Sequence, residues 1–338
     1  MKEYLWGKTY SLNEELVQLQ EILSAALEHG RWQENYLIPY SYWTDYRGWL
    51  YVKWNLEGTN QKPVVRYRFG NHHELVVEKI KVNLSANQRL RGENQDKPVV
   101  LITGDTHRNF KRIIQFCEKY QTTKEDIMII LGDVGINYYN DKRDFFVKEH
   151  LAKLPLTLFC VHGNHEMRPA NIESYELKKW KGGMAYVEPE FPNLIFAKDG
   201  EIYDIADQKV MVIGGAYSVD KWFRLQKGWC WFEDEQPSEE IKRYVEQQLE
   251  KNDWKMDVVL SHTIPYQYRP IDLFLSFIDQ STVDTSTEEW LRTIEERLSY
   301  HKWYAGHYHC DRKVDGMQLM FKNVEVFCGN RDLKFSME

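Results

Sequence analysis

No two of the five cysteines form a CxxC pair; they stand at 117, 160, 230, 310 and 328, odd in number and scattered. That spacing supports no disulfide framework and reads as reduced thiols in an intracellular, cytoplasmic protein. No apolar run is long enough to cross a bilayer, and the first ten residues are mixed polar. Neither a membrane span nor a signal peptide is predicted. Positive charge is not in excess either: the net charge is −7. This argues against a surface built to grip nucleic acid nonspecifically. It does not exclude a nucleotide substrate, because bound cations add positive charge locally. No internal repeat or low-complexity tract is visible. What is present is 338 residues, 43% hydrophobic and 28% charged, an ordinary globular makeup long enough for two domains.

Residues 85–97 read SANQRLRGENQDK, polar and without periodicity, and are expected to be a linker. Before them, Ser11 and Glu14 match a capping box, and Leu12, Leu16, Leu19, Leu23 and Leu27 follow at helical spacing up to Gly30. Aromatic and β-branched runs between Tyr36 and Leu84, broken by Gly48, Gly58 and Gly70, read as short antiparallel strands. The expectation for residues 1–90 is a small α+β domain of one helix and three or four strands.

Beyond the linker the rhythm changes. Apolar runs at 98–103, 127–131, 156–161, 210–213 and 258–260 have the pattern of strands buried on both faces. Helical patterns alternate with them. Phe110, Ile113, Ile114 and Cys117 form one apolar stripe. Ser238 caps a helix through Ile241, Val245 and Leu249. Ser286 and Glu289 form a capping box before Trp290, Leu291, Ile294 and Leu298. The alternation predicts an α/β layered domain over residues 97–338.

Five polar segments follow apolar runs: Gly104-Asp105-Thr106-His107, Gly132-Asp133, Gly163-Asn164-His165-Glu166, Ser261-His262 and Gly306-His307-Tyr308-His309. Ligands usually bind at the carboxyl ends of strands in α/β sheets, so these distant segments can meet. Asp105 and His107 project to one side if strand geometry persists. Asp133 can bridge two cations, Asn164 offers a carbonyl oxygen, and His262, His307 and His309 offer imidazoles. Such O/N donors suit a pair of divalent transition metals: manganese, iron or zinc. Each segment alone is ordinarily a polar turn or a core histidine; their joint, ordered occurrence is what points to a metal centre.

These segments resemble the signature of the calcineurin-like metallophosphoesterases over about residues 97–325. The resemblance implies a four-layer α/β sandwich with two central sheets and a dinuclear site at the strand ends. It puts Asp105, His107, Asp133 and His309 on one metal, and Asp133, Asn164, His262 and His307 on the other. A metal-bridging hydroxide would attack phosphorus, with His165 as general acid toward the leaving group. Residues 231–240 and 252–257 look like a bacterial subgroup of unassigned specificity. One departure is visible. Ser/Thr phosphatases of the superfamily place an Asp three residues after the bridging Asp, to orient the histidine; here Ile136 stands there.

The expected function is therefore a metal-dependent hydrolase of phosphoesters, a phosphodiesterase or phosphatase on a nucleotide, nucleic-acid end or other small phosphoester. A phosphoprotein phosphatase is the alternative, and a noncatalytic scaffold a further one. Arg108 and Arg168 are candidates to bind a substrate phosphate, with solvated loop residues as the plain reading. Asp220 and Arg224 can touch substrate or merely belong to a tight turn. Trp222, Trp229 and Trp231 can stack on a base or cap a core. Residues 1–95 carry 12 Lys/Arg against 11 Asp/Glu, so the N-terminal part is the less acidic one. Nucleic acid enters only as substrate or through that domain.

Overall fold

Runs that are apolar at every position make strands with both faces covered, and here they build two sheets. The computed structural model describes residues 98–119, 122–276 and 278–327, with the backbone of five strands between residues 9 and 81. The chain divides into two compact units, Met1–Gln88 and Arg89–Glu338.

In the first unit β1 (Thr9–Ser11), β2 (Leu37–Thr44), β3 (Leu50–Leu56), β4 (Val64–Phe69) and β5 (Glu74–Lys81) form an antiparallel sheet in the order β1-β5-β4-β3-β2. That is one strand more than expected. Proline cannot donate to a ladder, and Pro39 lies on edge strand β2 where the register with β3 shifts. The predicted helix at 12–27 and the linker at 85–97 lie outside the described residues.

The second unit holds a seven-stranded and a six-stranded sheet. The seven strands are β6 (Val100–Thr103), β7 (Ile127–Ile130), β8 (Thr157–Cys160), β9 (Glu176–Trp180), β10 (Gly183–Val187), β11 (Leu194–Ala197) and β18 (Val324–Val326), in the order β18-β6-β7-β8-β11-β10-β9. The six are β12 (Ile202–Ile205), β13 (Gln208–Ile213), β14 (Val258–Ser261), β15 (Lys302–Ala305), β16 (Arg312–Val314) and β17 (Met317–Leu319), in the order β12-β13-β14-β15-β17-β16. Both have parallel centres and antiparallel edges.

Side chains alternate across a strand, and this alternation sorts the buried residues into three layers of packing. Val100, Ile102, Ile129, Phe159, Val212, Leu260 and Tyr304 meet between the two sheets. Leu101, Met128, Ile130, Leu158 and Cys160 face outward from the first sheet, where Ile113 and Phe116 of α1 (Lys111–Lys119) and Leu151 of α2 (Lys142–Ala152) cover them. Met211, Ile213, Val259 and Trp303 face outward from the second, under Val245 and Leu249 of α4 (Glu239–Lys251) and Trp290, Leu291 and Ile294 of α5 (Ser286–Glu295). The result is helices, sheet, sheet, helices: the expected four-layer α/β sandwich. A short helix, α3 (Lys221–Lys227), follows β13.

Two details differ from expectation. Ile114 is exposed, and Phe116 takes its place in the buried stripe of α1. Ser238 caps α4 as predicted, its side chain accepting from the Ile241 N–H. At α5, however, the first turn is held by Asp284, whose Oδ1 accepts the Ser286 N–H at 2.9 Å. Glu289 pairs instead with Arg292.

Candidate metal centre

Each polar segment leaves the carboxyl end of a parallel strand: Asp105 and His107 after β6, Asp133 after β7, Asn164 and His165 after β8, His262 after β14, His307 and His309 after β15. The two sheets face each other, so these ends share one edge of the sandwich. Tight turns are needed to bring the side chains back over that edge. His107, Asp133, His307 and His309 all have positive φ, between 43° and 67°, a costly conformation for residues with a Cβ that recurs at functional sites. Close approach explains the glycines before them. A Cβ on Gly132 would lie 2.1 Å from His262 Nδ1, and one on Gly306 would lie 2.3 Å from Asp105 Oδ1.

Asp133 is central and buried. Its Oδ2 is 3.8 Å from His107 Nε2, and its Oδ1 is 3.6 Å from His262 Nε2. Oδ1 also accepts the His165 N–H at 2.8 Å. Asp105 Oδ1 accepts the His307 N–H at 3.0 Å. Its Oδ2 is buried without an aligned donor, 3.3 Å from His309 Nε2 and 3.7 Å from His107 Nε2. The nitrogens of His107 and His309 are 2.8 Å apart, and His309 is stacked on Phe321.

On the other side, His262 Nδ1 lies 2.7 Å from the Leu131 carbonyl. A carbonyl only accepts, so Nδ1 carries a hydrogen. Its Nε2 lies 2.8 Å from Asn164 Oδ1. His307 Nδ1 is 3.1 Å from the same oxygen. The Asn164 amide is turned this way because Nδ2 donates to Ser218 Oγ at 2.8 Å. Ser218 in turn gives its hydrogen to Glu235, whose carboxyl also accepts the Ser218 N–H and the Trp231 Nε1–H. Imidazole nitrogens, carboxylate oxygens and an amide oxygen converge in this buried space, and the donor set fits divalent metals. Three ligand groupings overlap here: Asp105, His107 and His309; Asp105, Asp133 and His262; and His107, Asp133 and His165.

The protonation states agree. Burial opposes ionisation of Asp133, but His262, His165, His107 and the His165 N–H outweigh it and hold its carboxyl below the ordinary range. Asp105 behaves alike: burial raises it, while His309 and His262 bring it down overall. Burial pushes His307 down to about 3, leaving its imidazole neutral and able to hold a cation. His165 is lowered by burial, with Arg224 adding to the effect and Asp133 and Asp220 opposing it. Burial and the charge of Asp133 push Glu166 up to about 8. Its oxygens accept N–H groups of Val134, Gly135 and Gly163, tying the loops after β7 and β8 together.

The structure thus brings Asp105, His107, Asp133, Asn164, His165, His262, His307 and His309 to one place. It does not bring Arg108 or Arg168 there as free cations. Arg108 pairs with Asp144 at 2.5 Å and donates to the Gly135 carbonyl at 2.8 Å. Arg168 is buried, pairs with Asp199 and donates to the Asp234 carbonyl. Sequence reasoning missed the support of Asn164 by Ser218 and Glu235. It also missed Arg112, which holds the Gly104 and Asp105 carbonyls. The Asn164–Ser218 contact joins residues 54 apart that meet only through the sheets; Arg112 is close in sequence, but nothing in its residue type marks it as turned back onto the loop. Trp222 and Trp229 are exposed, and Ile136 is buried in the outer apolar cluster of the first sheet.

A cation-ready cluster at the strand ends of a four-layer sandwich defines a metal-centred hydrolase site. The calcineurin-like phosphoesterase family model matches residues 98–311, more than half of the chain, and the chain belongs to that family of metal-dependent hydrolases acting on phosphoester bonds. Solved structures similar to the chain include TT1561 of Thermus thermophilus, at 13% identity and TM-score 0.38, covering 67% of this chain and 88% of that one. A second crystal structure aligns at 15% identity and TM-score 0.36, covering 65% of this chain and 88% of its own. No curated protein matches. Among the described residues no helix is long and apolar enough to cross a membrane.

Proposed function

We propose that the chain is a dinuclear-metal-dependent phosphoester hydrolase, a phosphodiesterase or phosphatase on a nucleotide, a nucleic-acid end or another small phosphoester. The observation that carries this reading is the two-sided Asp133 carboxylate, with one oxygen toward His107 and the other toward His262. Asp105, His107, Asp133 and His309 would hold one ion; Asp133, Asn164, His262 and His307 would hold the other. When bound, two such cations lower the pKa of a water and neutralise charge on phosphoryl oxygens. Manganese, iron and zinc all suit these ligands.

The protein's own residues supply position. Asn164, His262 and Asp133 are buried, whereas His107 and His309 reach solvent, so the substrate phosphate enters on the His107–His309 side. His165 lies on that side, its ring centroid 5.5 Å from that of His107. There it serves the departing oxygen as a donor. The buried, apolar Ile136 argues against the phosphoprotein phosphatase reading. The partner is the phosphoester itself, met in the reducing cytoplasm that the scattered thiols suit.

Hydrolysis of p-nitrophenyl phosphate and bis-p-nitrophenyl phosphate with added manganese tests this, using wild type beside Asp133→Ala and His165→Ala. Metal-dependent turnover lost in Asp133→Ala is expected. Absence of metal-dependent hydrolysis of either ester by wild type would favour the scaffold.

A further inference from the structure

A histidine that meets a departing oxygen needs its ring fixed, and a carboxylate at position 136 to do so is absent. The side chains around His165 come instead from the loop and helix after β13. Arg224 of α3 is buried and donates through Nη2 to His165 Nδ1. The rest of its guanidinium is committed: Nε to Asp220 Oδ2 at 2.8 Å, Nη1 to the Cys230 carbonyl at 2.9 Å and to the Tyr138 hydroxyl at 3.2 Å. On the other ring nitrogen, Asp220 Oδ1 lies 3.7 Å from Nε2 and is buried without a hydrogen-bond partner.

A guanidinium has donors only. The nitrogen facing it must therefore present a lone pair, and the single hydrogen of a neutral imidazole goes to Nε2. The Asp220 carboxylate beside Nε2 favours the same placement. A carboxylate at Nδ1 would do the reverse, holding a hydrogen there and favouring the doubly protonated ring.

Resting on the phosphoester reading above, we propose that Arg224 is a positioning residue that fixes His165 as an Nε2–H donor. His165 then stabilises the leaving oxygen by a hydrogen bond and keeps its own proton. As a hydroxide oxygen derived from water forms a new bond to phosphorus, the P–O bond to the leaving group breaks and its electron pair goes to the leaving oxygen, which takes its proton from a second water. His165 is thereby an electrostatic donor, in place of the general acid expected from the sequence.

Two readouts test this on the full chain. In the zinc-loaded protein with 15N-labelled histidine, the signal lost in His165→Ala identifies that ring. The expected pattern is an unprotonated Nδ1 and a protonated Nε2, with the preference lost in Arg224→Gln and kept in Arg224→Lys. A protonated Nδ1 in wild type overturns the proposal. In kinetics, Arg224→Gln should lower kcat for a phenyl phosphoester about tenfold more than for the p-nitrophenyl ester, whose better leaving group needs less help, with KM little changed. In the His165→Ala background the same substitution should cost nothing further. Equal losses on both esters, or additive losses, overturn it. If Arg224→Gln fails to fold by circular dichroism, Arg224→Lys carries the test, and a protonated Nδ1 there refutes the claim. If wild type hydrolyses no ester, the phosphoester reading fails, and the nitrogen spectrum still decides the role of Arg224.

Discussion

Asn164 Nδ2 donates to Ser218 Oγ at 2.8 Å, and this bond points the amide oxygen at His262 and His307. Without it an amide can turn end for end and present N–H groups to a cation. Ser218→Ala is therefore expected to weaken divalent-metal affinity by about 10–100-fold while leaving the sheets intact. Titration of the metal-free protein with manganese, followed by calorimetry, checks this; unchanged affinity would show that Ser218 does not orient the amide.

Glu288 on α5 offers a pH test. It is buried, and desolvation raises its carboxyl above the ordinary value despite the Thr263 hydroxyl, which donates to it at 2.7 Å. Its Oε2 has no hydrogen-bond partner. Between the unfolded and folded values the native state holds the extra proton. Stability contributed by this group is thus full at low pH and falls as pH rises from the ordinary carboxylate range, by up to ~1.4 kcal/mol per unit, until the folded value is passed. Glu288→Gln removes that loss. Urea denaturation from pH 4 upward should give a flatter profile for the variant; parallel profiles would refute the assignment.

Phe159 tests the packing between the sheets. It is fully buried, stacked on Trp180 at 4.7 Å and edge-on to Tyr203 at 4.9 Å. Phe159→Ala leaves a cavity with sheet on both sides and little freedom to collapse. A destabilisation of about 3–5 kcal/mol is expected in equilibrium urea denaturation. A cost below about 1 kcal/mol would mean that the two sheets pack loosely.

The structure also shows why some elements were legible and others were not. Strands β6, β7, β8, β13 and β14 are covered on both faces, so burial writes itself as a continuous apolar run. Helix α2 left no such trace, because the residues it buries are Asp144, Lys148 and Leu151. Asp144 pairs with Arg108 and Lys148 with Glu188, so its inner face is ionic, while Phe145 and Phe146 are exposed. Hairpin β9–β10 and the edge strands near the C-terminus alternate weakly or lie open, and they escaped for that reason.

The sequence by itself determined which donor groups stand at the strand ends. A metal ligand must be a particular residue type at a strand end, with glycine where neighbouring segments touch, and both demands are local. Tertiary structure alone decided which arginine meets the site. Arg108 and Arg168 stand beside the motif residues in sequence but are held by Asp144 and Asp199, whereas Arg224, 59 residues from His165, reaches its ring. A guanidinium goes wherever carboxylates and carbonyls surround it, and those partners are assembled only when two sheets and a short helix come together.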